Sequence, residues 1–555
     1  MLLVALVFTQ MGVFAQDTAT AQQLFTQERW TELVGRLSTI RNRSAEQEYE
    51  YGVALARLKR WKDAHSALLR GSRLAPGDKR FPIELAGVAF SVKHQEQAAG
   101  YLKRALRLDA HDDYANDFLA TIYFLQGNLE AAVKYWNRLS HPRPQVDELR
   151  NDPPLRIRPA LLDHAFAYAP ASVLRLSQLR ATTAQVQNLQ IYPNYRLDLV
   201  AHPDGRFDSV FRATELDGFG SGKMGALLRT FSGLPFQEVR PEYYNMAGTA
   251  TNILTIARWD PDKRRCGAEF SAPLGEDPQW RYRIDVGVRN ENWEIRHGFT
   301  GLAPIEASLN LRREEAGAEI SRLIGWRSQW FLGVDFSHRD FRNVVPGAAL
   351  TQELLEHGFE LKQIARLRYE ILRSPEHRLN ISSDVNSQAG RLWSQPGESF
   401  EKLQVSIEGH WFPEASGGDL ETRWRTSTGS TFGQLPFDEL FMLGLERDND
   451  PALWMRAHIG TRHGRKGSAP LGRNYFIANW DTDKNLYSNG LLTLKLGPFI
   501  DTGKITDPVS ALGSQEWLVD TGAEMKIRVL GVGAAFTYGK DLRTGNNAFY
   551  VTLAR

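Results

Sequence analysis

The sequence predicts a multidomain chain: an α-solenoid, then a small α+β module, then a transmembrane antiparallel β-barrel of about 16 strands. Three observations carry this. A 34-residue register recurs in the first third, the C-terminal half alternates apolar and charged residues, and the alternating runs are too many for one soluble sandwich. From Trp517 to Val529, for example, Trp517, Val519, Thr521, Ala523, Met525, Ile527 and Val529 share one face, while Leu518, Asp520, Gly522, Glu524, Lys526 and Arg528 share the other. A period of two with one oily and one charged face places a strand between two different solvents.

At 555 residues the chain exceeds one ordinary core, so two or three domains are expected. A net charge of +2 argues against nucleic-acid binding, which needs a strongly basic surface. Cys266 is the only cysteine, which excludes an intramolecular disulfide and any multi-cysteine metal site. Residues 1–15, MLLVALVFTQMGVFA, are apolar, too short to span a bilayer, and end in Val13-Phe14-Ala15, the small-residue pattern of a secretory cleavage site. They read as a signal peptide cut before Gln16, with a buried N-terminal helix as the alternative. No later stretch reaches the roughly 18 to 20 apolar residues of a membrane helix, so any span must be made of strands.

Residues 16–146 form the helical arm, with clear repeats over 45–78, 79–112 and 113–146. Ala64, Ala98 and Ala132 are spaced by 34 residues, as are Leu68, Leu102 and Trp136, and then Pro76, Ala110 and Pro144. Small residues suit a close helix crossing, and proline ends the second helix of each pair. With Tyr51-Gly52, Leu119-Ala120, Tyr123 and Gly127 in register, the arm resembles tetratricopeptide repeats. Residues 21–40, with Trp30, Val34 and Leu37, look like a degenerate leading repeat. The resemblance implies a concave face for a periplasmic protein partner or client; a structural spacer is the plainer reading.

Prolines 142, 144, 153, 154 and 159 mark a hinge, with the linker placed at 147–159. Within the next module, 160–216, Ala160 to Gln190 is mildly helical. Leu189 to Val200 and Arg206 to Thr214 then alternate around His202-Pro203-Asp204-Gly205, a hairpin turn. This module resembles a single POTRA unit, whose sheet edge can take up a client strand in that family. A rigid connector is the alternative.

Residues 217–555 are expected to be strands without a convincing helix. Trp280, Tyr282, Ile284, Val286 and Val288 alternate with Arg281, Arg283, Asp285, Gly287 and Arg289, and similar runs follow around Leu332 and Val405. Trp259, Trp280, Trp293, Trp326, Trp330, Trp411, Trp424, Trp517 and Tyr550 suit interfacial girdles. About 340 residues at roughly 20 per strand and loop give the strand number above, and a bilayer leaves no water for open strand edges, so the sheet must close.

The C-terminal segment is similar to the end of the bacterial surface antigen barrel, the BamA-like family. The matching residues are Gly497-Pro498-Phe499-Ile500-Asp501-Thr502-Gly503, Asp520-Thr521-Gly522, Tyr538-Gly539-Lys540-Asp541 and Asn547-Ala548-Phe549-Tyr550-Val551-Thr552-Leu553. Leu435 to Gly444 resembles the approach to that family's inward loop. The family carries Arg-Gly-Phe or Arg-Gly-Tyr on that loop; here Met455-Arg456-Ala457-His458 stands nearest, with His458 in place of the aromatic. The resemblance implies Arg456 as a lumenal arginine and Asp501 or Asp520 as its partner. A basic surface loop with Arg462, Arg465 and Lys466 is the alternative. It also implies a seam between the first and last barrel strands, near Gly225 to Thr230 and at Phe549, Tyr550, Val551 and Leu553. The chain ends in Ala554-Arg555 where such barrels usually end in an aromatic residue.

No nucleophile elbow, His-Glu-x-x-His, Walker loop or dinucleotide fingerprint is present in the sequence. Gly218-Phe219-Gly220-Ser221-Gly222-Lys223 lacks the Walker spacing, His338-Arg339-Asp340 points its residues to opposite strand faces, and Asp260-Pro261-Asp262-Lys263 is a polar turn, with a cation site as its minor alternative. No enzyme activity, cofactor or metal is therefore expected. The resemblance implies an outer-membrane protein, in contact with lipid and with its N-terminal domains in the periplasm, that helps to insert or translocate other proteins. Alternatives are a conduit for exopolysaccharide, which also joins such repeats to a barrel, and a soluble secreted β protein.

Overall fold

The computed structural model describes residues 20–220, 222–296, 303–347, 350–393, 398–414, 418–489, 491–509, 512, 514–529 and 532–554. The expected signal peptide lies outside them. The chain divides into two units, 1–143 and 144–555.

The first unit is built of helix pairs. Ala45–Arg57 pairs with Trp61–Leu74, Arg80–Ser91 with Gln95–Leu108, and Asp113–Leu125 with Leu129–Trp136, preceded by Ala21–Thr26 and Trp30–Ser38. Ser44, Asp112 and Asn128 cap helix starts through their side chains. The repeated small residues sit at the crossings: Ala64, Leu68, Ala98, Leu102 and Ala132 are fully buried. A side chain at Gly52 would overlap Leu68, and one at Gly71 would come within 2.2 Å of the Phe81 ring. Arg43 stacks over Tyr51 at 4.4 Å, and Trp136 donates its indole N–H to Asp117 at 3.0 Å. Pro76 follows the end of its helix at Leu74. Pro144 does not close the last pair, because that helix already ends at Trp136 and the Pro144 carbonyl accepts from Leu174 in the second unit.

The second unit opens with a four-stranded sheet ordered Ser172–Val173, Gln145–Asn151, Phe207–Thr214, Asn194–Ala201. The helices Pro159–Ala165 and Leu176–Asn188 supply Leu161, Leu162 and Val186 to its core beside Ile191 and Phe211. The linker expected at 147–159 is thus corrected: Gln145–Asn151 is a strand parallel to Phe207–Thr214. The prolines bracket this strand, where they remove no ladder bond. Arg281 of the barrel donates to the carbonyls of Asn188 and Leu189 at 3.3 and 3.1 Å, joining this module to the barrel wall.

The remaining strands close into a barrel. Among the described residues it has fifteen staves. A broken first stave, Glu238–Val239 with Glu242–Tyr243, is followed by nine from Asn252–Arg258 to Leu420–Gly433 and five from Asn474–Ser488 to Asn547–Ala554. Register sorts the faces. Val286 lies opposite Ala268 and Ala316, which in turn faces Phe336, and this row is turned outward, with Val286 and Phe336 about half exposed. The rows between carry Asp285, Arg289, Arg313, Asp335 and Arg339, which face the interior. Trp280 and Trp330 meet edge-on at 5.4 Å on the outside, near the end that carries the α+β module. Trp293 is the exception to the girdle reading: it is buried inside the barrel against Phe437. Tyr550 lies opposite Thr537, which is buried on the inner face, while Phe549, Val551 and Leu553 lie in the outward rows.

The expected first barrel strand at Gly225 to Thr230 is also corrected. Lys223–Phe231 is a helix, the one helix among the described barrel residues apart from short 3-10 turns. Met224, Ala226, Leu227, Leu228 and Arg229 favour helix, and no partner strand sits opposite them to override that preference.

Two outcomes are expected. Gly71→Val should destabilise the helical unit by about 1–3 kcal/mol through overpacking, read as a lower melting temperature in far-ultraviolet dichroism. In the α+β module, His202 Nε2 lies 2.9 Å from the buried Asp208 carboxylate, which raises the imidazole above its ordinary 6.5. A raised folded value gives stabilisation that is complete below the unfolded value and fades as pH climbs through the folded one. Amide protection factors of the hairpin of Asn194–Ala201 with Phe207–Thr214 should therefore fall as pH rises above the ordinary imidazole range, and His202→Gln should remove that dependence.

Candidate functional site

The segment between Gly433 and Asn474 does not leave the barrel but folds into it. Leu435 and Phe437 pack on Trp293, Phe341 and Phe400, apolar residues of the inner wall. Next to them, Asp438 and Glu439 are buried among wall cations. Arg313 reaches Asp438 at 2.6 Å and Glu439 at 2.8 Å, Lys362 and Lys402 each reach Glu439 at 3.0 Å, and Arg339 reaches Asp438 at 3.2 Å and Glu360 at 2.5 Å. These wall residues come from four staves, so two adjacent carboxylates tie together about a quarter of the wall's staves.

Further along, Asn449 donates to the carbonyls of Met442 and Gly444 and closes a turn. Asp448 accepts Arg258 at 2.6 Å and Arg265 at 3.1 Å. The returning hairpin Thr461–Arg462 with Arg465–Lys466 places Lys466 2.6 Å from Glu291 and Arg465 2.5 Å from Glu294. The surface-loop reading therefore fails for Lys466, which is buried.

The tip of the inserted segment is Met455–His458. It docks on a row of acids that cross-strand register creates: Asn479 lies opposite Asp501, Asp501 opposite Asp520, and Asp520 opposite Asp541. Like charges directly opposite repel, and all three aspartates are buried. Arg456 forks onto Asp501, with Nη2 at 2.7 Å and Nε at 2.9 Å, and its backbone N–H donates to the same carboxylate at 3.0 Å. Its remaining nitrogen reaches Glu524 at 3.2 Å, and its plane stacks 3.9 Å over Phe499. The Ala457 N–H and His458 Nδ1 reach Asp520 at 2.7 and 3.0 Å, and His458 Nε2 lies 3.8 Å from Asp541. Close approach is permitted by Gly539, where a Cβ would sit 2.8 Å from the Arg456 carbonyl.

The structure thus brings Arg456, His458, Asp501 and Asp520 together, and adds Asp541, Glu524 and Gly539. Asp501 takes Arg456, while Asp520 takes the backbone and imidazole beside it. The imidazole spans two carboxylates with its two nitrogens, so it acts as a bridge between strands. Sequence reasoning missed Asp438 and Glu439, although their signal was present: an acidic pair amid apolar residues, facing staves whose inward positions carry Arg313, Arg339, Lys362 and Lys402.

Among solved structures, the chain resembles BamA from Haemophilus ducreyi lacking POTRA domains 1–3, at TM-score 0.43 and 10% identity over 74% of this chain and 85% of that one. It resembles CdiB from Acinetobacter baumannii at TM-score 0.43 and 10% identity over 84% and 85%, and CdiB from Escherichia coli at TM-score 0.44 and 14% identity over 74% of each. No family model matches the chain, and no curated protein matches it.

Arg456→Ala should leave Asp501 as a buried, uncompensated charge at a cost of about 3–5 kcal/mol. The expected readout is a lower temperature for loss of the folded band on semi-native electrophoresis, with partial recovery in Arg456→Ala combined with Asp501→Ala.

Proposed function

We propose that this protein is an outer-membrane barrel that assists insertion or translocation of other proteins, without bond chemistry, cofactor or metal. The observation that carries the reading is the inserted segment: its tip is clamped to the inner wall by Arg456 on Asp501, and its flanks fill the lumen with buried ion pairs. A passive conduit for a sugar polymer needs an open, hydrated bore, and a lumen occupied in this way does not offer one. The outward apolar rows and the inward charged rows match a wall between lipid and a polar interior. In this reading the helix pairs are a tetratricopeptide-type arm that recruits a client or partner protein in the periplasm. The α+β module is a POTRA-like unit whose sheet ends in the strand Asn194–Ala201, an edge for strand addition.

The test is depletion of the protein in its own cell. Lower levels of other outer-membrane barrels with normal sugar export are expected. Normal barrel levels with loss of exported polysaccharide would overturn the assembly reading in favour of the conduit.

A further inference from the structure

The α+β module carries a His–Asp–Asp group, outside the barrel, that the function proposed above does not use. His202 opens the hairpin turn, Asp208 lies on Phe207–Thr214, and Asp147 lies on the parallel strand Gln145–Asn151. One side-chain nitrogen or oxygen from each lies within 4.8 Å of the other two. A turn and two strands therefore bring together one imidazole nitrogen and two carboxylate oxygens, atoms of the kinds that hold a divalent cation.

Backbone structure fixes these positions. The His202 N–H donates to the Arg206 carbonyl at 2.8 Å and the Gly205 N–H to the His202 carbonyl at 3.0 Å, with Gly205 in the left-handed region at φ +83°. These bonds close the turn that carries the imidazole. The ladder between the parallel strands pairs Val146 with Phe207 but Leu149 with Ser209, so one extra residue is taken up at Asp147 and Glu148. A bulge of this kind re-aims a side chain, and here it falls beside Asp208.

Two further observations point to a ligand. Asp208 is 3% exposed, and its Oδ1 and the His202 Nε2 are both shut off from solvent; the two atoms are 2.9 Å apart, yet neither makes a hydrogen bond. Buried polar atoms are ordinarily satisfied, and a single ion between them satisfies both. The second observation is charge. Arg150 bridges Asp208 and Glu148 at 2.9 Å each, and Arg206 bridges Asp147 and Asp204 at 2.7 Å each. Four carboxylates thus face two guanidinium groups, which leaves two negative charges uncompensated beside a neutral imidazole. The guanidinium groups engage Oδ2 of Asp208 and Oδ1 of Asp147, so each carboxylate keeps a second oxygen for a metal.

We propose that His202, Asp208 and Asp147 bind one zinc-type divalent cation, with water completing its shell. A mixed nitrogen and oxygen donor set suits zinc and its neighbours, whereas Ca2+ and Mg2+ take oxygen ligands alone. The bound ion clips the hairpin turn to Gln145–Asn151 and stiffens the module.

The experiment uses the full chain in detergent micelles, stripped with a chelator and then given Zn2+ alone, with metal analysis after gel filtration and calorimetric titration. One Zn2+ per chain is expected, and excess Ca2+ or Mg2+ should not displace it. Loss of an outer-shell partner alone lowers metal affinity 10–100-fold, so His202→Ala and Asp147→Asn should each lower it by about a hundredfold or more. Co2+ in place of Zn2+ should give the visible absorption of a low-coordinate site, and both variants should lose it while far-ultraviolet dichroism shows them folded. Failure to take up stoichiometric Zn2+, or equal retention by parent and both variants, would mean an adventitious ion only and overturn the proposal. Either result leaves the assembly reading standing, since that reading rests on the barrel interior.

Discussion

The row of aspartates at positions 501, 520 and 541 is the constraint on which the interior depends. Strand register sets the three side by side, and a wall that did so without compensation would repel itself in a region with little water. The compensation comes from a distant part of the chain, the Arg456 guanidinium, two backbone N–H groups and the His458 imidazole. Asp438 and Glu439 present the reverse case, with acids on the inserted segment and cations on the wall. Buried ion pairs of this kind add little net stability over apolar packing, but they penalise any misplacement heavily. Their effect is to fix where the inserted segment lies.

The helical arm follows a different logic. Its pairs hold together through small residues and apolar contact, with Gly52 and Gly71 allowing Leu68 and Phe81 to close in. Charges there sit mostly at the rim, as in Arg80 with Glu46 and Asp78, where solvent screening leaves them weak.

Much of this was legible from the sequence because it depends on local period. The repeat of Ala64, Ala98 and Ala132 marked the helix crossings, and alternation of the Trp517 to Val529 kind marked the staves and their faces. Arg456, Asp501 and Asp520 were legible only through resemblance, since no period links residues on a loop to residues on a wall. What was not legible depends on partners far away in the chain. Gln145–Asn151 was hidden by flanking prolines, and its pairing with Phe207–Thr214 spans some sixty residues. Trp293 carried the same pattern as a girdle tryptophan, but its stave turns it toward Phe437. Lys223–Phe231 was read as a strand from its place in the chain, while its composition favours helix.

The strand Val532–Asp541 has a dual attachment. It touches the Lys223–Phe231 helix, and it supplies Gly539 and Asp541 to the docked tip. Because a strand is stiff along its length, sliding or tilting it moves the floor beneath Arg456 by a comparable amount. A displacement of the Lys223–Phe231 helix that shifts this strand is therefore felt at the Arg456 tip without any intervening hinge.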